Sequence, residues 1–213
     1  MPAVDVVAFV RASLPAPPAR VLEVGAGDGG LAVALRALGY DVLAIDPEGE
    51  AAGVEPVALH ELTEPDGSFD AAVAVVSLHH VEPLEESCRR LAALVRPGGR
   101  LVVDEFDVER YDERAAGWWS LQRAAAGGEV APGGPAQLVA RYRAHLHPLS
   151  RISEALAPGF ALGEPVRGAY LHRWGVGEGL RPAEEDRIAA GALPATGARL
   201  VGVRQRVFAS STK

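Results

Sequence analysis

Val21-Leu-Glu-Val-Gly-Ala-Gly-Asp-Gly-Gly-Leu31 is the stretch that decides the fold of this chain. Its first four residues are apolar except for Glu23, which predicts a short strand buried on both faces. Four glycines follow, and Leu31-Ala-Val-Ala-Leu35 then predicts the start of a helix. Glycine permits a tight turn and leaves bare backbone for a ligand, while a helix N-terminus favours a polar or anionic group. The stretch therefore predicts a turn that binds a nucleotide-type cofactor.

The spacing of these glycines fits two cofactor families. Gly25-x-Gly27-x-x-Gly30 matches the dinucleotide pattern, in which a ribose-binding acid follows about 20 residues on, and Asp46 lies there. Glu23-x-Gly25-x-Gly27-x-Gly29 instead resembles the first motif of class I S-adenosylmethionine-dependent methyltransferases. Glu23 favours the second family, because a buried acid is costly without a partner. In that family this acid lies near the amino group of the cofactor's methionine part, whereas the alternative role is a cap on nearby backbone N–H groups.

Length and composition predict one globular domain. The chain has 213 residues, 48% hydrophobic and 23% charged, which is enough for one substantial core. A net charge of −7 argues against a general nucleic-acid binder, because phosphate contacts require a basic surface. No apolar run approaches the roughly 20 residues of a transmembrane helix, and the N-terminus does not resemble a signal peptide. A cytoplasmic protein is therefore expected.

Two scarce residue types exclude several enzyme classes. The only lysine is Lys213, which excludes a phosphate-loop lysine, a Schiff-base lysine and a Tyr-x-x-x-Lys reductase pair. Cys88 is the only cysteine, which excludes an internal disulfide and a zinc cluster built from cysteines.

The rest of the chain predicts strands that alternate with helices. A helix is expected over residues 4–14, and strands are expected over residues 40–45, 55–59, 71–76 and 100–104. Such alternation indicates an α/β fold with a parallel doubly wound sheet and right-handed crossovers. After residue 106, helices are expected at 111–126 and 136–147, the sixth strand at 160–162 or 170–174, and a closing strand at 198–208.

A second set of motifs extends the resemblance. Asp66-Gly-Ser-Phe-Asp70, an apolar strand and then Leu78-His-His-Val81 are closely similar to the fourth-strand motif of small-molecule methyltransferases, and Pro97-Gly-Gly99 matches their next turn. The ordered motifs cover residues 20–105. The resemblance implies a Rossmann-like, mostly parallel seven-stranded sheet with helices on both faces and an antiparallel last strand. It also implies a single methyltransferase domain over 1–213, with a helical leader (1–19), a cofactor-binding half (20–105) and a substrate-side half (106–213).

The resemblance implies a set of cofactor-binding residues near the strand ends. Asp46 is expected to accept hydrogen bonds from the ribose hydroxyls, although Asp-Pro also suits a turn. His60 and Glu61 are both candidates for the adenine contact, because the spacing to the next motif is two residues shorter than usual. The complete cofactor set is Glu23, Gly25, Ala26, Gly27, Gly29, Asp46, Pro47, His60, Glu61, Ser77 and Leu78.

Methyl transfer needs a donor and an acceptor held in line, and a base only for some acceptors. His80 is the candidate base because histidine titrates near neutral pH; the alternative is that it bonds backbone or cofactor. Residues after the fifth strand commonly cover the substrate in the resembling family. The proposed substrate residues are Glu105, Tyr111, Trp118 and His145, with Trp119, His147, His172 and Trp174 as further pocket candidates.

Two pairs of neighbouring residues among these candidates are considered together. Trp118 and Trp119 point to different helix faces, so at most one is expected to line the pocket, and the other to lie in the core or a dimer contact. His145-x-His147 resembles a metal pair, but no carboxylate cluster supports it, so no metal is expected.

The sequence as a whole predicts an enzyme that transfers a methyl group from S-adenosylmethionine to a small-molecule acceptor by in-line displacement. An NAD-dependent oxidoreductase and a non-catalytic S-adenosylmethionine-binding protein remain alternatives. We expect neither general nucleic-acid binding nor a membrane partner, and a homodimer is compatible with the sequence.

Overall fold

Eight strands form one sheet in this chain, of which the computed structural model describes residues 4–129 and 132–206. The strands are β1 (Arg20–Val24), β2 (Asp41–Ile45), β3 (Val54–Glu55), β4 (Phe69–Val75), β5 (Val95–Phe106), β6 (Phe160–Leu162), β7 (Val166–Gly168) and β8 (Gly197–Arg204). Their spatial order is β3-β2-β1-β4-β5-β8-β6, and β7 also pairs with β8. Neighbours among β1 to β5 pair in parallel, whereas β8 is antiparallel to β5, β6 and β7. The predicted fold class is confirmed.

Helices cover both faces of the sheet. They are α1 (Val4–Ser13), α2 (Gly30–Ala37), α3 (Leu84–Leu94), α4 (Glu113–Ala125), α5 (Gly134–His145), α6 (Leu149–Leu156) and α7 (Arg181–Ala189). Successive side chains of a strand point to opposite faces, so Val21 packs with α1 and α2, while Leu22 packs with α3 and α6. Across the described residues, no helix has the length and apolar character that crossing a membrane requires.

A third apolar cluster lies beyond the carboxyl end of β5. It combines aromatic and aliphatic side chains from α4, α5 and the segment before α7, with Phe106 at its base. Phe106 contacts Tyr170 and Trp174 at ring-centroid distances of 5.1 and 4.4 Å. This cluster places aromatic side chains over the same sheet edge that the glycine turn occupies.

The structure corrects several predicted element boundaries. The sheet has eight strands rather than seven, because residues 160–168 form two short strands against β8. The third strand ends at Glu55, since Pro56 has no N–H to continue the ladder, and Leu59–Glu61 forms a 3₁₀ turn instead. Of the closing strand predicted over 198–208, the structure has Gly197–Arg204, and residues 207 and 208 lie outside the described residues.

Residues 170–174 do not form the sixth strand, which is β6 at Phe160–Leu162. Instead, Leu171–Arg173 is a 3₁₀ turn. The reason is that a buried carboxylate, Glu184, accepts the backbone N–H groups that a strand would donate to its neighbour.

Candidate active site

The glycine turn that follows β1 is tied to the end of β2. The N–H groups of Gly25 and Ala26 donate to the carbonyl oxygen of Ile45 at 2.9 and 3.0 Å. The N–H of Gly27 donates to Asp46 Oδ2 at 2.9 Å. Parallel pairing of β1 with β2 brings these residues together, because both strands end at the same sheet edge.

Two glycines of this turn have different reasons to be glycine. Both have left-handed backbone, with φ of +70° at Gly25 and +52° at Gly27. A Cβ on Gly25 would lie 2.3 Å from Ser77 Cβ, so Gly25 is needed for packing against the turn that follows β4. A Cβ on Gly27 would meet nothing within 4 Å. The space beside Gly27 is therefore open for a ligand.

A cavity of about 660 Å³ lies between the ends of β1, β2 and β4, and we call it the glycine-turn cavity. Its lining includes four of the predicted cofactor residues: Gly25, Asp46, Pro47 and Ser77. Leu59, Val76 and His80 also line it. The structure thus brings residues from four separate sequence motifs to one opening.

Asp46 holds a turn and also lines the glycine-turn cavity. Its Oδ2 accepts from the Gly27 N–H and its Oδ1 accepts from the Glu48 N–H at 3.0 Å, so it does hold a turn. Each carboxylate oxygen has a further lone pair, and Asp46 is only half-buried in the lining of the cavity. It can therefore accept ribose hydroxyls as well.

Glu23 is a buried acid with an oxygen that lacks a partner. The residue is 3% exposed, and its Oε2 has no hydrogen-bond partner within the described residues. Burial raises the pKa of Glu23 to about 7, even though the nearby Arg36 guanidinium acts in the opposite direction. Ser77 Oγ, also buried, has no partner among these residues either. Two unpaired polar atoms beside the glycine turn fit a cofactor with cationic and hydroxyl groups.

The remaining cofactor candidates occupy different positions. Ala26 and Gly29 belong to the glycine turn, whose Gly29 N–H donates to Ala26 O at 2.9 Å. The adenine candidates His60 and Glu61 lie in the 3₁₀ turn after β3, but Leu59, rather than either of them, lines the cavity. Glu61 is exposed, and His60 is half-buried, with no hydrogen-bond partner for its Nδ1 in the described part of the chain.

A buried carboxylate fixes the turn that follows β4. Glu105 Oε1 accepts the N–H groups of Ser77 and Leu78 at 2.8 and 2.6 Å. Its Oε2 bonds His79 Nδ1 at 2.5 Å. We call this arrangement the Glu105 clamp. Glu105 was predicted among the substrate residues, and the structure places it beneath the turn, where it positions the residues that line the cavity.

His80 follows the Glu105 clamp directly and is exposed. Its ring centroid lies 4.3 Å from that of His79. Partial burial lowers the pKa of His80, and the neighbouring His79 lowers it further. At neutral pH the His80 imidazole is therefore mainly uncharged and able to accept a proton.

A second cavity of about 690 Å³ adjoins the first, and we call it the aromatic cavity. Val76 and His80 line both cavities, so the two meet there. The walls of the aromatic cavity include Trp119, Tyr142 and Trp174. Trp119 Nε1 donates to Trp174 O at 2.9 Å, which fixes two of these walls against each other.

A second buried carboxylate fixes the wall that contains Trp174. Glu184 Oε1 accepts the N–H groups of Tyr170 and Leu171 at 2.8 and 2.9 Å. Its Oε2 accepts the N–H of His172 at 2.9 Å and bonds the ring Nδ1 of His172 at 2.8 Å. We call this arrangement the Glu184 clamp. Burial alone would raise the pKa of Glu184, but these hydrogen bonds outweigh burial and lower it.

The two clamps share a sequence signal. Ser77-Leu-His79 and Tyr170-Leu-His172 each place a histidine third, and each histidine bonds the clamping carboxylate through Nδ1. The residues that follow line the aromatic cavity: His80 after the first turn, and Arg173 and Trp174 after the second. The repeated Leu-His pair could have indicated the second turn, but only the fold identifies its carboxylate.

Glu184→Gln is expected to lower the free energy of unfolding by about 2–3 kcal/mol. The amide has one accepting oxygen where the carboxylate has two, so some of the buried N–H groups of the clamped turn lose their acceptor. Glu185→Gln is the matched control, since Glu185 is the next residue of α7 and is exposed. Its change should stay within about 0.5 kcal/mol. Urea unfolding of the three proteins measures the difference. Equal stability of both variants would contradict the role assigned to Glu184.

The other predicted acceptor residues are divided between core and surface. Tyr111 is fully buried behind Tyr142, Trp118 is buried in the third apolar cluster, and His145 is exposed; none of the three lines either cavity. Of the two adjacent tryptophans, Trp119 reaches the aromatic cavity.

His145 and His147, the pair considered for a metal site, lie in different surroundings, and His145 is exposed. His147 is buried, and its Nε2 lies 3.1 Å from the carbonyl oxygen of Val81. His172 belongs to the Glu184 clamp. Among the residues that the structure describes, no group of three histidine, cysteine or carboxylate side chains could hold a metal ion.

Sequence reasoning missed Tyr142 and the arginines of the aromatic cavity, Arg123, Arg141 and Arg173. These side chains come from α4, α5 and the second clamped turn, which lie far apart in sequence. No local pattern connects them, so only the tertiary structure could bring them together.

Comparisons with known proteins agree with this geometry. The family model described as a methyltransferase domain matches residues 3–132. An uncharacterized methyltransferase of Mycobacterium tuberculosis is 40% identical over 98 residues, which cover 41% of this chain and 40% of the relative. The ubiquinone biosynthesis O-methyltransferase of Xanthomonas campestris is 36% identical over 116 residues, which cover 46% of this chain and 48% of the relative.

The fold also matches a solved structure over nearly its whole length. An S-adenosylmethionine-dependent methyltransferase from Mesorhizobium loti aligns with a TM-score of 0.60 and 21% identity, covering 92% of this chain and 95% of that one. At this identity the likeness shows the fold alone. The two sequence relatives are each matched over less than half of their own length.

Proposed function

Because the chain belongs to the methyltransferase domain family, of the class I S-adenosylmethionine-dependent type, we propose that it is an enzyme that transfers a methyl group from S-adenosylmethionine to a small-molecule acceptor. The observation that supports this proposal most directly is that the glycine-turn cavity meets the aromatic cavity at Val76 and His80. A donor in the first cavity and an acceptor in the second would face each other at that junction.

The residues present fit the cofactor. Asp46 would accept its ribose hydroxyls, and the open space beside Gly27 would admit it close to the backbone. The unpaired Oε2 of Glu23 would pair with its ammonium group. When bound, S-adenosylmethionine supplies a methyl group on a sulfonium: the acceptor lone pair forms the new bond to carbon while the carbon–sulfur bond breaks and its electrons pass to sulfur.

The chain's own residues would contribute position and a proton acceptor. The Glu105 clamp holds His80 at the junction of the two cavities. A neutral His80 would take the proton that an oxygen or nitrogen acceptor loses, and its exposure would let that proton leave to solvent. The cavity walls would exclude water and hold the acceptor in line.

A small organic acceptor is favoured over a macromolecule for two reasons. The aromatic cavity of about 690 Å³ has the size of a small-molecule site. The net charge of −7 disfavours nucleic acid. The cytoplasmic location expected from the sequence stays a prediction, as does the homodimer with which the sequence is compatible.

Calorimetric titration with S-adenosylmethionine, S-adenosylhomocysteine and NAD tests the proposal. The first two should bind and NAD should not. Asp46→Ala should weaken binding by about 1–3 kcal/mol, because buried ribose hydroxyls would lose their acceptor. Asp41→Ala is the matched control, since Asp41 is exposed at the opposite end of β2. Binding of NAD alone would support the oxidoreductase alternative, and cofactor binding without turnover of any acceptor would support the non-catalytic one.

A further inference from the structure

We propose that the methyl acceptor is a planar aromatic compound that carries a carboxylate. The inference rests on the proposed function, because it assigns the chemistry of the acceptor to the aromatic cavity. Two properties of that cavity support the inference. Its walls are flat and aromatic, and it has guanidinium groups that form no ion pair with a carboxylate within the described residues.

The aromatic walls are rigid and present flat surfaces. Tyr142 and Trp174 stack with ring centroids 5.0 Å apart and an interplanar angle of 29°. Trp119 meets Trp174 edge-on at 5.8 Å, and its Nε1 hydrogen bond to Trp174 O holds that arrangement. The Glu184 clamp fixes the backbone just before Trp174. Preformed aromatic walls favour a planar ring, because the protein has little side-chain motion to lose on binding.

The guanidinium groups of the cavity are of two kinds. Arg173 donates to Asp104 Oδ1 at 2.9 Å, so it already has a carboxylate partner, which it shares with Arg199. Arg123 Nε donates to the carbonyl oxygen of Glu129, and the Arg123 guanidinium carbon lies 5.4 Å from the centre of the Trp119 ring. Arg141 lies 5.4 Å over the Tyr142 ring. No ion pair joins Arg123 or Arg141 to a carboxylate in the part of the chain that the structure describes.

The charge balance of the lining favours an anion. Glu129 contributes one carboxylate to the lining, against the two guanidinium groups of Arg123 and Arg141. This local positive excess occurs in a chain whose net charge is −7. A guanidinium has a planar fork of donors that matches a carboxylate, and it also stacks on aromatic rings. A ring that lies against the aromatic walls, with its carboxylate at these arginines, would satisfy both features.

This orientation leaves the other end of the acceptor for His80, which lines the same cavity where it meets the glycine-turn cavity. A ring hydroxyl there would lose its proton to His80 while its oxygen lone pair takes the methyl group. The products would be the aromatic carboxylate with a methoxy group in place of its hydroxyl, S-adenosylhomocysteine and one proton that His80 releases. Atoms and charge balance without a further reactant.

Binding measurements with matched pairs of ligands test the inference. A panel of hydroxybenzoates and hydroxynaphthoates is titrated against the corresponding uncharged carboxamides, by calorimetry and by quenching of tryptophan fluorescence, with and without S-adenosylhomocysteine. At least one carboxylate should bind about tenfold or more tightly than its carboxamide, as expected for charge-assisted hydrogen bonds. Arg141→Gln and Arg123→Gln together should bring this ratio close to one. Arg151→Gln, an exposed arginine paired with Glu85 away from both cavities, should leave the ratio unchanged.

Three results would overturn the inference: equal or tighter binding of the carboxamides, a carboxylate preference that survives in the double variant, or no binding of any panel member at millimolar concentration. Titration of S-adenosylhomocysteine alone keeps this failure distinct from failure of the proposed function. A protein that binds S-adenosylhomocysteine but prefers the carboxamides refutes only the acceptor chemistry. A protein that prefers the carboxylates but does not bind S-adenosylhomocysteine refutes the proposed function; the aromatic cavity is then a site for an aromatic carboxylate that is not a methyl acceptor.

Discussion

Gly27→Val is expected to reduce S-adenosylmethionine affinity by about a hundredfold or more while the protein stays folded, since overpacking costs of about 3 kcal/mol correspond to that factor. A side chain at Gly27 would meet no protein atom within 4 Å, so it would enter the open space assigned to the cofactor. The backbone there has a φ of +52°, which adds strain of about 1–3 kcal/mol for a branched residue. Calorimetry gives the affinity, and thermal unfolding shows that the fold survives.

Gly98→Val separates the effect of blocking the cofactor space from the effect of backbone strain. Gly98 also has left-handed backbone, with a φ of +81°, and a Cβ there would likewise meet nothing within 4 Å. It lies near the start of β5, at the opposite edge of the sheet from the glycine turn. Its valine variant should show a similar loss of stability and full cofactor affinity. If both variants bound the cofactor equally well, the cofactor would not lie over Gly27.

Glu23→Gln is expected to stabilise the unliganded protein above pH 7 and to weaken cofactor binding. Burial raises the pKa of Glu23 from 4.5 to about 7. Between these values the folded state holds the proton more tightly than the unfolded state, so stability falls as pH rises through this window. The loss is about 3 kcal/mol once the carboxyl is ionised. Glutamine cannot ionise, so its variant should keep the stability that the parent loses.

The same substitution should weaken cofactor binding, although it stabilises the unliganded protein. A carboxylate paired with an ammonium contributes about 1.5–3 kcal/mol, so Glu23→Gln should weaken S-adenosylmethionine binding by roughly ten- to hundredfold. Urea unfolding at pH 5 and pH 8, together with calorimetry, measures both effects. Glu55→Gln, which changes an exposed acid at the end of β3, is the control and should alter neither. If the parent protein had the same stability at both pH values, the raised pKa assigned to the unpaired carboxyl of Glu23 would be wrong.

The cofactor side of the site could be predicted because parallel strands determine it locally. Once the glycine turn is placed after β1 and Asp46 after β2, pairing of the two strands brings them within hydrogen-bond distance. Glu23 was identifiable for the same reason, since any side chain there is buried in the middle of the sheet. The β3 region was predicted less well, because Pro56 ends the strand early and moves His60 and Glu61 into a turn.

The acceptor side could not be predicted because it depends on contacts between distant elements. Glu105 belongs to β5, yet its carboxylate serves a turn that lies 26 to 28 residues earlier. Trp118 and Trp119 are chemically equal in sequence, and the packing of α4 alone decides that Trp119 reaches the cavity. The turn at residues 171–173 has the composition of a strand, and a single buried carboxylate in α7 overrides it.

The Glu184 clamp also bears on how such enzymes diverge. The carboxylate and the turn that it holds both lie within residues 170–184, beyond the stretch 3–132 that the family model covers. The backbone of this turn is therefore held by its own segment, although Arg173 pairs with Asp104 and Trp174 contacts Phe106, both in β5. Substitutions within residues 170–184 could reshape this wall of the aromatic cavity without touching the glycine turn. Proteins with the same donor can in this way come to modify different molecules.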